Sequence, residues 1–128
     1  MTMGLAAHGR APYKAEPLPM SDTLALTLDL MARNSVTPAD GGCQQVMMER
    51  LAAAGFAVEP LRYGVVDNFW AKRGSGGSVF CFAGHTDVVP VDGQPWDTDP
   101  FIATPVGDRV YGRGVTDMKS FSAIGLSY

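Results

Sequence analysis

Three short runs of this 128-residue sequence hold residue types that can do chemistry: Gly84-His85-Thr86-Asp87, Gly112-Arg113-Gly114 and Asp117-Met118-Lys119. An imidazole two residues from a carboxylate suits a metal ligand whose tautomer is fixed by the neighbouring acid. In extended backbone the side chains at i and i+2 point the same way, so His85 and Asp87 project together. Taken alone, His-x-Asp recurs by chance and is better read as a strand end at which His85 hydrogen-bonds Asp87 with no metal involved. Asp117, 30 positions after Asp87, is either a further acidic ligand or an ordinary N-cap for a helix opening at Lys119. For Arg113 and Lys119 the bland reading is solvent exposure, with Arg113 paired to Asp117 or Asp108. His8 is the only other histidine, so His85 is the only one outside the first twenty residues.

The elements that must position these residues are readable from periodicity. Leu24, Leu28 and Met31 fall at i, i+4 and i+7, widened by Leu26 and Leu30, which predicts an amphipathic helix over 22–33 opened by Ser21-Asp22. A loop over 34–42 leads to a second helix with Cys43, Met47, Leu51 and Ala54 on one face and Gly55 at its stop. Phe56–Glu59 and Phe69–Lys72 alternate as two strands of a hairpin-like pair, with Pro60 marking an edge. Val79–Ala83 is apolar at every position, the pattern of a strand covered on both faces. His85 and Asp87 then leave the carboxyl end of that strand, where open α/β sheets bind ligands. The fold class is α/β, and helices ahead of strands do not match a dinucleotide-binding order. From Gly74 to Gly114 the chain holds half of its 15 glycines and 9 prolines, a composition suited to long site-building loops.

Charge excludes several functions. Ten Lys+Arg against thirteen Asp+Glu give a net charge of -3, which leaves no basic footprint for nucleic acid or an anionic membrane surface. No apolar run approaches the ~18 residues of a membrane span. Cys43 and Cys81 lack CxxC spacing and read as two buried small hydrophobes, which suits a reducing, cytoplasmic setting. Residues 1–20 read as a disordered leader, with Met20 as an alternative start, and residues 21–128 as one incomplete domain.

Phe82-Ala83-Gly84-His85-Thr86-Asp87-Val88-Val89-Pro90, Trp96 with Asp99-Pro100-Phe101, and Tyr111-Gly112-Arg113-Gly114-Val115-Thr116-Asp117-Met118-Lys119 together resemble the signature of the M20 family of di-zinc amidohydrolases. The resemblance spans about residues 22–128 and departs at Ser120, where glycine is usual, and at Val115-Thr116. It implies the amino-terminal part of a zinc-peptidase-like catalytic domain, a mixed sheet flanked by helices, with the lid domain absent. It also implies that His85 ligates one zinc, that Asp117 bridges two zincs, that Asp87 supports His85 in the catalytic arrangement, and that the Asp117–Met118 peptide is cis. A carboxylate can span metals ~3.5–4 Å apart that hold a hydroxide and polarise an amide carbonyl, and nitrogen and oxygen ligands without thiolate are usual in catalytic zinc sites. Cobalt is the expected substitute metal.

The substrate class implied is a small N-acyl amino acid. Asn68-Phe69-Trp70-Ala71-Lys72-Arg73-Gly74 resembles the branch that hydrolyses N-succinyl-LL-2,6-diaminopimelate to succinate and LL-diaminopimelate, on the route to lysine. The alternatives are deacylation of acetylornithine or of another acyl amino acid, or an inert truncated chain. After Asp117 there is no Asp, Glu or His, so the general base and remaining ligands are expected beyond Tyr128, and homodimer contacts in the missing lid domain.

Overall fold

The computed structural model describes residues 19–127; the expected leader lies almost wholly outside them. The Ser21 side-chain oxygen accepts the Leu24 N–H at 3.1 Å and opens α1 (Asp22–Met31), as a serine ahead of an apolar-periodic run should. Leu26, Leu30 and Met31 are fully buried, whereas Leu24 and Leu28 are half-buried. The buried stripe is therefore centred on Leu26 and Leu30, one step round the helix from the expected Leu24–Leu28 line. α2 (Cys43–Ala53) begins with the buried Cys43, and Gly55 follows its end at φ +84°, a conformation glycine adopts without strain. Leu26, Leu30, Cys43 and Ala123 form the core, with Val46, Met47 and Leu126 packed against it. Ala123 belongs to α3 (Ser120–Gly125).

The hairpin is longer than its alternation suggested. β1 (Ala57–Tyr63) and β2 (Val66–Lys72) pair antiparallel from Ala57 opposite Lys72 to Tyr63 opposite Val66. Pro60 sits inside β1 opposite Phe69, which a two-stranded ribbon tolerates because each strand keeps a free edge. A second small hairpin, β3 (Thr104–Val106) with β4 (Arg109–Tyr111), lies in the stretch expected to be loop.

Val79–Ala83 corrects the sequence expectation: it forms no strand, and Phe80 is 83% exposed, with Val79 and Phe82 also in solvent. No described strand runs alongside it, so its backbone has no ladder to join and its side chains have no layer to enter. Cys81 is accordingly exposed, not buried, whereas Cys43 is buried as expected. The α/β class stands as helices beside two separate antiparallel pairs. In place of the expected mixed sheet, the parallel pairing among the described residues is a single bridge between Val36 and Val88. No described helix is long and apolar enough to cross a membrane.

Candidate metal centre

The segment carrying His85 is held by the loop that follows α1. Ser35, fully buried, donates to the Thr86 carbonyl at 2.7 Å, and Thr86 Oγ1 donates to Asp40 Oδ1 at 2.6 Å. Val88 N–H donates to the Ser35 carbonyl at 2.9 Å, and Thr37 N–H donates to the Val88 carbonyl at 3.1 Å. Four hydrogen bonds from 35–40 thus fix 86–88 as a short extended strip, and extended backbone is what sends His85 and Asp87 to one side.

Asp117 comes from a turn. Gly114, at φ +87°, precedes a single wide helical turn over Val115–Lys119 whose backbone departs from helical geometry at Asp117 and Met118. A side chain at Gly114 would meet Val88 Cγ1 at 2.7 Å, so the two site-bearing segments touch where a Cβ cannot fit. The Asp117–Met118 peptide is cis. Asp117 is therefore no N-cap for α3. Lys119, read as solvent-exposed, is fully buried, and its Nζ donates to the carbonyls of Leu30 at 2.7 Å and Arg33 at 2.9 Å. Intrahelical donors run out at a helix end; the ammonium supplies one to each carbonyl, and Leu30 also accepts longer contacts from Arg33 N–H at 3.4 Å and Cys43 Sγ at 3.6 Å. Burial holds the Lys119 pKa below its ordinary value and pushes the nearby Cys43 thiol up, each offsetting the other in part.

These two supports bring the expected residues together. His85 Nε2 lies 3.2 Å from Asp117 Oδ1, across an open cleft of about 260 Å³ lined by His85, Asp87, Arg113 and Asp117 among others. His85 Nδ1 lies 3.1 Å from the Asp87 carbonyl oxygen and 3.4 Å from Asp87 Oδ1. Asp87 therefore meets the ring first through its backbone oxygen, while Asp87 Oδ2 accepts from Thr37 Oγ1 at 2.5 Å. When Nδ1–H donates to Asp87, Nε2 and Asp117 Oδ1 both present lone pairs to one point, an arrangement that a shared cation or a second ring proton satisfies. That donor set fits part of a metal centre. No cluster of three potential ligands occurs among the described residues.

Arg113 pairs with neither Asp117 nor Asp108. Its Nη2 donates to the Gln94 side-chain oxygen, its guanidinium lies 5.1 Å from the Trp96 ring centroid, and its backbone N–H donates to the Pro100 carbonyl at 2.6 Å. Thr37, Gln94 and the Lys119 clamp escaped sequence reading, since no local pattern links positions 19 to 89 residues apart.

Residues 81–128 match the family model described as Peptidase family M20/M25/M40. The chain is 54% identical over 101 residues to succinyl-diaminopimelate desuccinylase of Acinetobacter baumannii (strain AYE), a match covering 78% of this chain and 27% of that protein. Against the enzyme of the same name from Acinetobacter baylyi, identity is 56% with the same coverage. Among solved structures, human carnosine dipeptidase 1 superposes with a TM-score of 0.63 at 27% identity, covering 81% of this chain and 29% of that one. The matched residues include His85, Asp87, Arg113 and Asp117, and the chain spans about 27% of the length of these curated relatives.

Proposed function

We propose that this chain supplies the first metal-binding elements of a metal-dependent amide hydrolase that cleaves N-succinyl-LL-2,6-diaminopimelate into succinate and LL-diaminopimelate. The observation that carries the reading is the convergence of His85 Nε2 and Asp117 Oδ1 at 3.2 Å in an open cleft. The desuccinylase relatives support the substrate, since more than half of the matched positions are identical to theirs.

His85 and Asp117 would hold the metal, zinc with cobalt as its substitute. When bound, that metal supplies Lewis acidity toward the amide carbonyl and lowers the pKa of water. Asp87 holds the His85 ring in the tautomer that leaves Nε2 free, because Nδ1–H has an oxygen acceptor. Thr37 in turn fixes the Asp87 carboxylate by a hydrogen bond. Overall, water adds to the acyl carbon and the C–N bond breaks, giving a carboxylate and an amine. The complete enzyme works in the cytoplasm as a homodimer, with its general base and further ligands outside these 128 residues. A second reading, that the chain by itself is inert, rests on the lack of a three-ligand cluster among its described residues.

A chimera tests the proposal. The chain's residues replace the matched 101-residue segment of the Acinetobacter baylyi desuccinylase, and succinate release is followed with added zinc. Metal-dependent turnover that His85→Ala and Asp117→Ala each abolish is the expected result. A folded chimera without turnover, or one that releases acetate from N-acetylornithine faster than succinate, overturns it.

A further inference from the structure

The cleft between His85 and Asp117 has one lysine or arginine on its lining, Arg113, and that cation is oddly placed. Two carboxylates, Asp87 and Asp117, line the same cleft, yet Arg113 forms no ion pair with either, nor with any other acid among the described residues. An arginine whose task were to neutralise those acids would sit against one of them, because a bidentate pair is the strongest contact its fork can make. Instead, neutral groups hold it. The Trp96 ring carries the guanidinium at 5.1 Å, the Gln94 side-chain oxygen accepts from Nη2, and the Pro100 carbonyl anchors the backbone N–H at 2.6 Å. Stacking on indole orients the plane without cancelling the charge. Nη1 has no hydrogen-bond partner among the described residues, and Nε is buried without one.

We propose that Arg113 is the anion-reading residue of this cleft, binding a carboxylate of the acyl amino acid while His85 and Asp117 face the amide. The assignment rests on the amide-hydrolase reading for its substrate, though not for the charge it recognises. Trp96 and Gln94 act as positioning residues: they fix the fork before the ligand arrives and so reduce the ordering cost of binding.

Trp96 reports on the event directly. In the metal-free chain carrying Trp70→Phe, Trp96 is the remaining tryptophan, and its emission is followed during titration with succinate or with uncharged succinamide at constant chloride. Succinate is expected to shift the emission and succinamide not to. Arg113→Gln should weaken the succinate response by about tenfold or more, and Arg113→Lys should restore only part of it, since an ammonium cannot fork. In the chimera, Arg113→Gln should raise KM for the succinylated substrate by about tenfold with a smaller change in kcat. Equal responses to succinate and succinamide, or an Arg113→Gln chain that titrates like its parent, overturn the proposal. So does an Arg113→Gln chimera with unchanged KM, a measurement that stands if the free chain associates. Succinate binding that needs Arg113, together with a chimera that hydrolyses nothing, leaves the anion site standing and removes the hydrolase reading instead.

Discussion

The Thr37 hydroxyl donates to Asp87 Oδ2 at 2.5 Å across 50 positions of sequence, and Asp87 in turn meets the His85 ring. On the proposed function His85 is a metal ligand and Thr37 buttresses it through Asp87; losses of that kind typically cost about 10–100-fold in metal affinity or activity. Thr37→Val in the chimera should fall at the low end of that range, and Thr37→Ser should recover most of it because the hydroxyl returns. Zinc affinity by competition with a chromogenic chelator checks this; equal affinities for Thr37→Val and its parent would remove Thr37 from the site.

Ligand count predicts weak metal binding by the chain alone. His85 and Asp117 offer two donors, where a stable zinc site has about four. Calorimetric titration of the 128-residue chain should show no tight zinc sites, and two of them would contradict the donor inventory. In the chimera, Asp87→Ala should lower zinc affinity or turnover by about 10–100-fold, short of the total loss expected for His85→Ala and Asp117→Ala.

Lys119 ties the turn bearing Asp117 to the end of α1 through two carbonyls. Lys119→Met keeps most of the stem but removes the ammonium from the Arg33 carbonyl and leaves the Leu30 carbonyl with its longer contacts from Arg33 N–H and Cys43 Sγ, at a cost of about 1.5–3 kcal/mol. The expected result is a lower urea midpoint, with the β1–β2 hairpin, which Lys119 does not touch, retaining its Trp70 environment until global unfolding. A midpoint unchanged from the parent would mean that water replaces the amine at no cost.

The exposed Phe80, Phe82 and Phe121 form one apolar surface, with ring centroids 5.0 Å apart for the first pair and 6.5 Å for the second. Contiguous apolar area beside an unladdered extended segment promotes self-association. The chain should elute above monomer size in size-exclusion chromatography, in proportion to its concentration, and Phe80→Ser with Phe82→Ser should shift it toward monomer. A concentration-independent monomer peak for the parent is the contrary result.

The two thiols should separate cleanly under alkylation. Cys81 is exposed, whereas Cys43 is buried and its pKa is pushed up by that burial. Since thiolate is the reactive form, mass spectrometry after brief iodoacetamide treatment near pH 8 should find Cys81 modified and Cys43 intact. Equal labelling would place Cys43 outside the core.

Local physics made much of this protein legible from its residues. Ser21 opens α1 because a serine oxygen can satisfy an orphan N–H. Gly55 ends the α2 region because only glycine takes φ +84° without strain, and alternation marked both arms of the β1–β2 pair. His85, Asp87 and Asp117 stand out by residue type and motif. These features depend on neighbours within a few positions, so sequence alone carries them. Three decisions belonged to the tertiary structure. Val79–Ala83 has strand composition, but a strand exists only when another backbone lies beside it, and none is described there. Arg113 had two acids in reach by sequence and took Trp96 and Gln94, because the approach of 94–100 to 113 sets its partners. Lys119 reads as a surface residue until the fold places two helix-end carbonyls around its ammonium. The long-range contacts of Thr37, Arg113 and Lys119 span 19 to 89 positions, a separation at which residue type limits what can bond but only packing selects what does.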